Sequence, residues 1–134
     1  MWPYTDEESD YLSLPKGELA ARTLAMPADC NPAGDIFGGW IMAQMDAAAY
    51  TSAAKRAHGR VVTVAADGIA FRRPVRVGDV VCFYTDIKGI GRSSITLAVE
   101  VWVLRQGLGS RVKASEGVFT LVAIDEEGRP RPVA

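Results

Sequence analysis

The spacing of hydrophobic and polar positions changes along the chain and predicts its elements. From Trp40 to about Ala57, apolar and small residues recur at three- and four-residue steps, which predicts a helix. A short β-capable segment, Leu19 to Met26, precedes it and ends at Pro27. Four longer segments rich in Val, Ile, Thr and aromatic residues follow and predict strands. They are Val61 to Phe71, Asp79 to Lys88, Ser93 to Arg105 and Arg111 to Asp125.

Short turn signals separate the last three strands from their predecessors. They are Pro74 with Gly78, Gly89 with Gly91, and Gly107 with Gly109. Connections of this length favour antiparallel neighbours. One strand, a long helix and four further strands therefore predict an α+β fold, with an antiparallel sheet wrapped around one central helix. Residues 1–16 are expected to be a weakly ordered leader to a single domain, 17–134, whose tail from Glu126 to Ala134 trails off.

The composition of the helix indicates where the chemistry lies. Between Gly39 and Lys55 the only charged residue is Asp46, and most of the others are apolar or small. A helix that is apolar nearly all round is typical of a buried position. Because burying an unpaired carboxylate costs free energy, Asp46 is a candidate for acid–base or nucleophilic chemistry. Alternatively, Asp46 caps a neighbouring loop or faces solvent.

The loop before the helix, from Ala28 to Gly39, is dense in Asn, Asp, Pro and Gly. Gly38 and Gly39 lie where the first free helical N–H groups point outward, so they can form an oxyanion hole for a carbonyl under attack. A plain glycine-rich turn is the alternative. Asp46 lies about 10 Å further along the helix. Since that gap is too long for one carbonyl to span, a second copy related by a twofold axis would have to complete the site.

Three other polar groups can contact a substrate, and each has a structural alternative. Asn31 can donate to a carbonyl oxygen or orient a water, or it can form an Asx-turn before Pro32. The turn Gly89 to Ser94 can bind phosphate through its backbone and Arg92, or it can be a plain hairpin turn. Arg72 and Arg73 form a second basic spot that is equally open to either interpretation.

Several function classes lack the residues they need. His58 is the only histidine, which leaves little material for catalytic triads or zinc sites, and its position just past the helix favours a C-terminal cap. No phosphate-binding or dinucleotide-binding glycine motif is present. A net charge of -1 gives no reason to expect nucleic acid or an anionic membrane as partner.

The chain shows no sign of export or of membrane insertion. The acidic start from Met1 to Asp10 lacks the features of a secretory signal, and no apolar run is long enough to span a bilayer. Cys30 and Cys82 have no metal-type spacing and are expected to be reduced packing residues. The expected location is the cytoplasm.

Taken together, these segments closely resemble the YciA-like acyl-CoA thioesterases, from about Leu19 to Pro132. The motifs that carry the resemblance are Arg22-Thr23-Leu24-Ala25-Met26-Pro27, Asn31-Pro32-Ala33-Gly34-Asp35-Ile36-Phe37-Gly38-Gly39-Trp40-Ile41-Met42, Gln44-Met45-Asp46, His58-Gly59-Arg60-Val61-Val62-Thr63-Val64, Phe71-Arg72-Arg73-Pro74-Val75, Val77-Gly78-Asp79-Val80-Val81, Gly91-Arg92-Ser93-Ser94 and Val99-Glu100-Val101-Trp102-Val103. Pro32-Ala33 is a departure, because members often carry other small or polar residues there.

The resemblance implies a hot-dog fold and hydrolysis of acyl-CoA to CoA and a carboxylic acid, without a metal or organic cofactor. It also implies a homo-oligomer, a dimer that joins two sheets and assembles further as a trimer of dimers. Asn31 and Asp46 take the positions of the family's active-site residues from different subunits, and Thr63 that of a threonine used in some relatives. Gly38 and Gly39 become the oxyanion donors. The expected substrate contacts are Phe37, Arg73, Arg92, Ser93 and Ser94.

Two other functions fit the same scaffold. A hot-dog hydratase or dehydratase generally uses a catalytic histidine with an acidic partner, whereas His58 lies beyond the helix. A non-catalytic acyl-CoA sensing module would keep the binding turn and could dispense with the acid. The presence of both Asp46 and Asn31 favours the hydrolase.

Overall fold

The computed structural model describes residues 14–105 and 111–134, which form one helix packed on an antiparallel sheet. The helix α1 is Gly38–Ala57. The strands are β1 (Glu18–Leu24), β2 (Val61–Phe71), β3 (Val80–Ile90), β4 (Ser94–Leu104) and β5 (Arg111–Ala123). This arrangement confirms the predicted α+β hot-dog architecture. The predicted turn at Gly107 and Gly109 lies outside the described residues, as do the first thirteen residues of the predicted leader.

The ends of α1 follow from local backbone chemistry. The helix begins at Gly38, two residues before the predicted start, because the Phe37 carbonyl already accepts hydrogen bonds from the N–H groups of Trp40 and Ile41. At the other end His58 adopts the left-handed conformation, with φ of 54°, and its N–H bonds the last turn of the helix. The predicted C-terminal cap is confirmed, and it is made by the backbone of His58.

The order of the strands in the sheet is β1-β3-β4-β5-β2, and every pairing is antiparallel. The helix connects the strands at the two opposite edges, β1 and β2, and contacts all five strands. Alternate residues of β4 face α1, and these inward-facing side chains are all fully buried. They are Ile95, Leu97, Val99, Val101 and Val103. The strand β2, which enters the site described below, is an edge strand.

The helix is buried on one side only, which differs from the burial all round expected from its composition. Ile41, Met45 and Ala49 face the sheet and are buried. The opposite side is also apolar, but a single sheet layer cannot cover it. Its exposed residues are Met42, Ala43, Ala47 and Tyr50. These four residues form the open apolar face. Val62 and Val64 on edge strand β2 are also exposed, 44% and 57%, but their side chains alternate with that of Thr63 and lie on the other side of the strand.

The C-terminal tail, residues 126–134, does not trail off as expected. The Asp125 carboxylate accepts two backbone N–H groups and closes a turn that sends the chain back to the sheet. Arg131 then donates to the carbonyl of Ala57 at 2.8 Å, and Val133 is buried. The tail therefore covers the C-terminal end of α1, a contact between distant segments that no local pattern announces.

Neither cysteine forms a disulfide, in agreement with their predicted role as packing residues: Cys82 is buried and Cys30 is partly buried. Over the described residues, α1 is the sole α-helix, and it is not apolar enough to cross a membrane.

Gly117 is required where β5 passes beneath the helix, and its replacement tests the packing there. An alanine Cβ at this position would lie 2.9 Å from Cγ1 of Ile69 and 3.3 Å from Cε of Met45. We expect Gly117→Ala to lower the free energy of unfolding by about 1–3 kcal/mol, because the core is overpacked. Gly89→Ala, where no heavy atom lies within 4 Å, is the matched control and should change it little. Urea unfolding at one protein concentration measures both, and equal effects would refute the packing argument.

An ion-pair network lies on the outer face of the sheet, away from α1. Glu116 and Glu100 are cross-strand neighbours, and Lys113 is paired with both carboxylates. Arg72 also binds Glu116, at 2.7 Å. Burial alone would raise the pKa of Glu116, but hydrogen bonds from Arg72 and Lys113 outweigh it and hold the pKa below the ordinary value of 4.5.

A carboxylate with a lowered pKa stabilises the fold above its unfolded-state pKa and loses that effect as the pH falls through the folded value. Glu116→Gln should therefore lower the free energy of unfolding at pH 7 by up to about 1 kcal/mol, since the network is partly solvated. The stabilities of wild type and variant should converge as the pH falls through the lowered pKa of Glu116. Unfolding curves from pH 2 to 8 measure this, and a difference independent of pH would contradict it.

Candidate active site

Asp46 and Thr63 meet at the open edge of the molecule. Asp46 lies on α1 at the border between the buried side and the open apolar face, and Thr63 is near the start of β2. The cap at His58 turns the chain back so that β2 runs beside the helix. Thr63 Oγ1 donates to Asp46 Oδ1 at 2.6 Å, and both residues are partly buried. A hydroxyl bound to a carboxylate at this distance is a charge-assisted hydrogen bond.

The surroundings of Asp46 rule out one alternative left open by the sequence, the capping of a neighbouring loop. Asp46 does not cap a loop, and within residues 14–105 and 111–134 no cation pairs with it and no second hydrogen bond reaches it. One carboxylate oxygen is therefore held by Thr63 while the other faces the open edge. This arrangement can accept a proton from water or attack an electrophilic carbon.

Asn31 shapes the loop before the helix. Its Oδ1 accepts hydrogen bonds from the N–H groups of Ala33, at 2.9 Å, and Asp35, at 3.1 Å. The N–H of Asn31 in turn donates to the carbonyl of Asp35 at 2.7 Å. The Asx-turn alternative thus describes the side-chain oxygen correctly. The amide NH₂ group has no acceptor among the described residues and can still donate to a substrate.

Gly38 and Gly39 form the first turn of α1. In the described part of the chain no acceptor binds the N–H of either glycine, as the start of a helix requires. A Cβ on Gly38 would lie 3.2 Å from Cζ of Phe71, whereas one on Gly39 would meet nothing within 4 Å. Gly38 therefore permits close packing of the Phe71 ring, and Gly39 presents open backbone. Such N–H groups, at the positive end of the helix dipole, can stabilise developing negative charge.

A cavity of about 260 Å³ opens beside this helix start. Its polar lining residues are Asn31, Asp35 and Arg73, and Gly38 contributes backbone. The remaining lining is apolar and consists of Ile36, Ile41, Phe71, Pro74 and Val75. An apolar pocket with a few polar groups is typical of a small-molecule site. The sequence indicated this region only through motifs, and it did not indicate that Ile36, Ile41 and Val75 would form the wall.

Arg73 and Phe37, two expected substrate contacts, lie on this side of the molecule. Arg73 is only 3% exposed and donates to the carbonyl of Lys113 at 2.7 Å, so β5 holds it in place at the cavity. Arg72, its neighbour in the basic spot, instead pairs with Glu116 on the outer face. Phe37 is 52% exposed beside the first glycine of the helix.

The turn Arg92-Ser93-Ser94 lies at the other end of the sheet. It connects β3 to β4, and the returning C-terminal tail bonds it through the N–H of Val133 and the carbonyl of Arg92. Arg92 is exposed, while Ser93 and Ser94 are partly buried. Ser94 pairs with Val122, which pairs with Val62, the neighbour of Thr63. The turn is thus two strands away from Thr63. It lies at the end of the sheet opposite to the start of α1.

One chain therefore brings the predicted residues together in three places rather than one. Asp46 joins Thr63, Asn31 joins Gly38 and Arg73, and the Arg92 turn stands apart. A larger cavity of about 490 Å³, between the end of α1 and β3, contains none of the predicted catalytic or substrate residues. Among the described residues, no three His, Cys, Asp or Glu side chains lie close enough to hold a metal ion.

Comparisons with known proteins show which family this sequence and fold resemble. The family model of the Thioesterase superfamily matches residues 33–110. The acyl-CoA thioester hydrolase YciA of Salmonella typhimurium is 53% identical over 122 residues, which are 89% of this chain and 92% of that protein. A hexameric thioesterase from Yersinia pestis superposes with a TM-score of 0.87 at 55% identity, over 90% of this chain and 98% of that one.

A second solved structure is described as a hexameric broad-specificity acyl-coenzyme A thioesterase. It has a TM-score of 0.84 and 51% identity, over 90% of this chain and 84% of that one. These similarities extend over the helix, its preceding loop and the sheet, the elements that hold Asp46, Asn31 and the two glycines. The chain belongs to the Thioesterase superfamily and, within it, to the YciA-like acyl-CoA thioester hydrolases.

Proposed function

We propose that this protein hydrolyses acyl-CoA to free CoA and a carboxylic acid at a site shared by two copies of the chain. The observation that carries the proposal is Asp46, fixed by Thr63 through one oxygen and open at the other, beside an apolar surface that one chain leaves uncovered. The relatives named as acyl-CoA thioester hydrolases support the reaction. The relatives described as hexameric support an assembly of several copies.

The shared site follows from the positions of its parts on α1. Suppose that two copies of α1 pack antiparallel across a twofold axis. The numbers of any two residues that then face each other, one from each copy, add up to the same total. Placing Asp46 opposite Gly39 of the partner puts that sum at 85, so Met42 would face Ala43 across the axis. Met42 and Ala43 are both exposed and apolar in the single chain. The open apolar face thus has the composition that this pairing requires.

In the proposed mechanism, the thioester carbonyl docks at the start of one helix. The N–H groups of Gly38 and Gly39 polarise its oxygen, and the amide of Asn31 orients the carbonyl or the water. Asp46 of the other copy activates a water or attacks the carbonyl carbon itself. The C–S bond then breaks and the thiolate of CoA leaves, needing little acid assistance. Where Asp46 is the attacking group, this step forms an anhydride between the acyl group and Asp46, which water then hydrolyses to release the carboxylic acid and restore the carboxylate. Thr63 keeps the Asp46 carboxylate in position throughout.

The CoA moiety is proposed to bind the Arg92-Ser93-Ser94 turn, which lies two strands, or about 10 Å, from Thr63. Exposed Arg92 would pair with phosphate, and the two hydroxyls would bind the phosphates or the pantetheine arm. Phe37 and Arg73 would contact the acyl end beside the helix start. The proposed assembly is a homodimer that joins two sheets at β2, with three dimers forming a hexamer. No metal or organic cofactor takes part in this scheme.

Loss of the carboxylate tests the reaction directly. We expect Asp46→Asn to lower kcat for acyl-CoA hydrolysis at least about 100-fold, since the amide can neither accept the proton nor attack. The matched control is Asp86→Asn, which changes a partly exposed aspartate of β3 that is paired with Lys88. This variant should retain full activity. A thiol-release assay across acyl-CoAs measures both. Wild-type binding of CoA without turnover would instead support the sensing module.

Sharing of the site between subunits predicts complementation. Asp46→Asn and Asn31→Ala damage opposite halves of the site, so each homo-oligomer should be impaired. In a random mixture, half of the dimers are mixed, and each has one intact site out of two. Co-expression should therefore restore about one quarter of wild-type activity. A mixture no more active than its two components would show that both residues act within one chain.

The role of Asp46 requires one further measurement. Single-turnover hydrolysis in heavy-oxygen water should place label in the Asp46 carboxylate if Asp46 is the nucleophile and only in the released acid if it is the general base. Mass spectrometry of the peptide that contains Asp46 distinguishes the two outcomes.

A further inference from the structure

A buried ion pair outside the residues of the proposed mechanism lies behind the 260 Å³ cavity. Asp79 is 0% exposed, and its Oδ2 accepts the N–H of Arg76 at 2.9 Å. Nη2 of Arg105 lies 3.8 Å from the same oxygen and donates to the carbonyl of Pro74 at 3.0 Å. The two side chains therefore hold both ends of the short segment Pro74 to Arg76.

The pair contributes little to the stability of the fold. Within the described residues, Oδ1 of Asp79 and Nε of Arg105 have no hydrogen-bond partner. When a buried ion pair has a long contact and unsatisfied atoms, the attraction between its charges offsets little of the free energy lost on desolvation. A well-packed apolar pair would stabilise the fold equally well. The specific effect of this ion pair is on the position of the backbone that its two side chains bind.

The segment that the pair holds is also the support of the loop before α1. The N–H of Ile36 donates to the carbonyl of Val75 at 2.8 Å, and Asp35 forms a β-bridge with Arg76. Asp35 in turn bonds both the side chain and the backbone of Asn31. If the segment Pro74 to Arg76 moved, the two or three hydrogen bonds that connect it to the loop would therefore move Asn31 and the start of the helix as well.

We infer that Asp79 and Arg105 are positioning residues, which set the loop that places Asn31 and the Gly38 and Gly39 N–H groups against the thioester carbonyl. Neither touches the substrate. The inference rests on the proposed function for its catalytic consequence, while the mechanical link itself is a property of the fold.

The test uses two substitutions that keep the shape of the site. Asp79→Asn retains an oxygen for the Arg76 N–H but removes the charge opposite Arg105. Arg105→Lys retains the charge but shortens the side chain and removes the planar guanidinium, whose Nη2 contacts both the Pro74 carbonyl and Asp79. Because a small misplacement of donors weakens the transition state more than ground-state binding, each variant should lower kcat about tenfold or more and change KM less than about threefold. Lys88→Gln, which breaks an exposed ion pair on β3, should change neither.

Hydrogen–deuterium exchange of the intact oligomer supplies a readout that does not depend on activity. The peptide covering residues 29–41 should exchange about tenfold faster or more in both variants, at a temperature well below their melting points, since the Ile36 amide loses its fixed acceptor. Unchanged kcat in folded variants, or unchanged exchange in this peptide, would overturn the inference. If wild type fails to hydrolyse acyl-CoA or Asp46→Asn stays active, the proposed function fails, and the exchange result still decides the mechanical link.

Discussion

A single five-stranded sheet covers one side of α1, while the helix is apolar on nearly all sides. The side left open carries Met42, Ala43, Ala47 and Tyr50. Exposed apolar surface on a helix marks an interaction site. The proposed site depends on this constraint, because Asp46 lies at the border of the open apolar face, where the proposal places a second copy.

The proposed mechanism of thioester hydrolysis has two physical requirements, which fall at different points of the same helix. Stabilising the oxyanion needs free N–H groups, which a helix has only at its start, at Gly38 and Gly39. Holding a reactive carboxylate needs a position inside the helix, where Thr63 of the adjacent strand can bind it. A rigid helix keeps these two positions about 10 Å apart. A twofold axis is the simplest way for both to reach one carbonyl.

The position of the helix start depends in turn on the position of the loop before it. That loop packs Ile36 into the core and also owes its shape to the Asn31 Asx-turn and to backbone bonds with the segment after β2. Asp79 and Arg105 fix that segment from behind. The result is a layered support: a buried ion pair, a short backbone segment, the loop, and the two glycines that are proposed to bind the substrate carbonyl.

The sequence by itself determined the local features. Periodicity placed α1 and the strands within a few residues, turn chemistry placed the His58 cap, and the lone charge among apolar residues singled out Asp46, because each depends on near neighbours in the chain. Only the tertiary structure decided contacts between distant segments. These are the bond from Thr63 to Asp46, the return of the tail onto the end of α1, the burial of Arg73 against β5, and the pairing of Asp79 with Arg105. Residues 17 to 74 positions apart meet in these contacts, and which of them meet is set by the order of strands in the sheet, which no local pattern encodes.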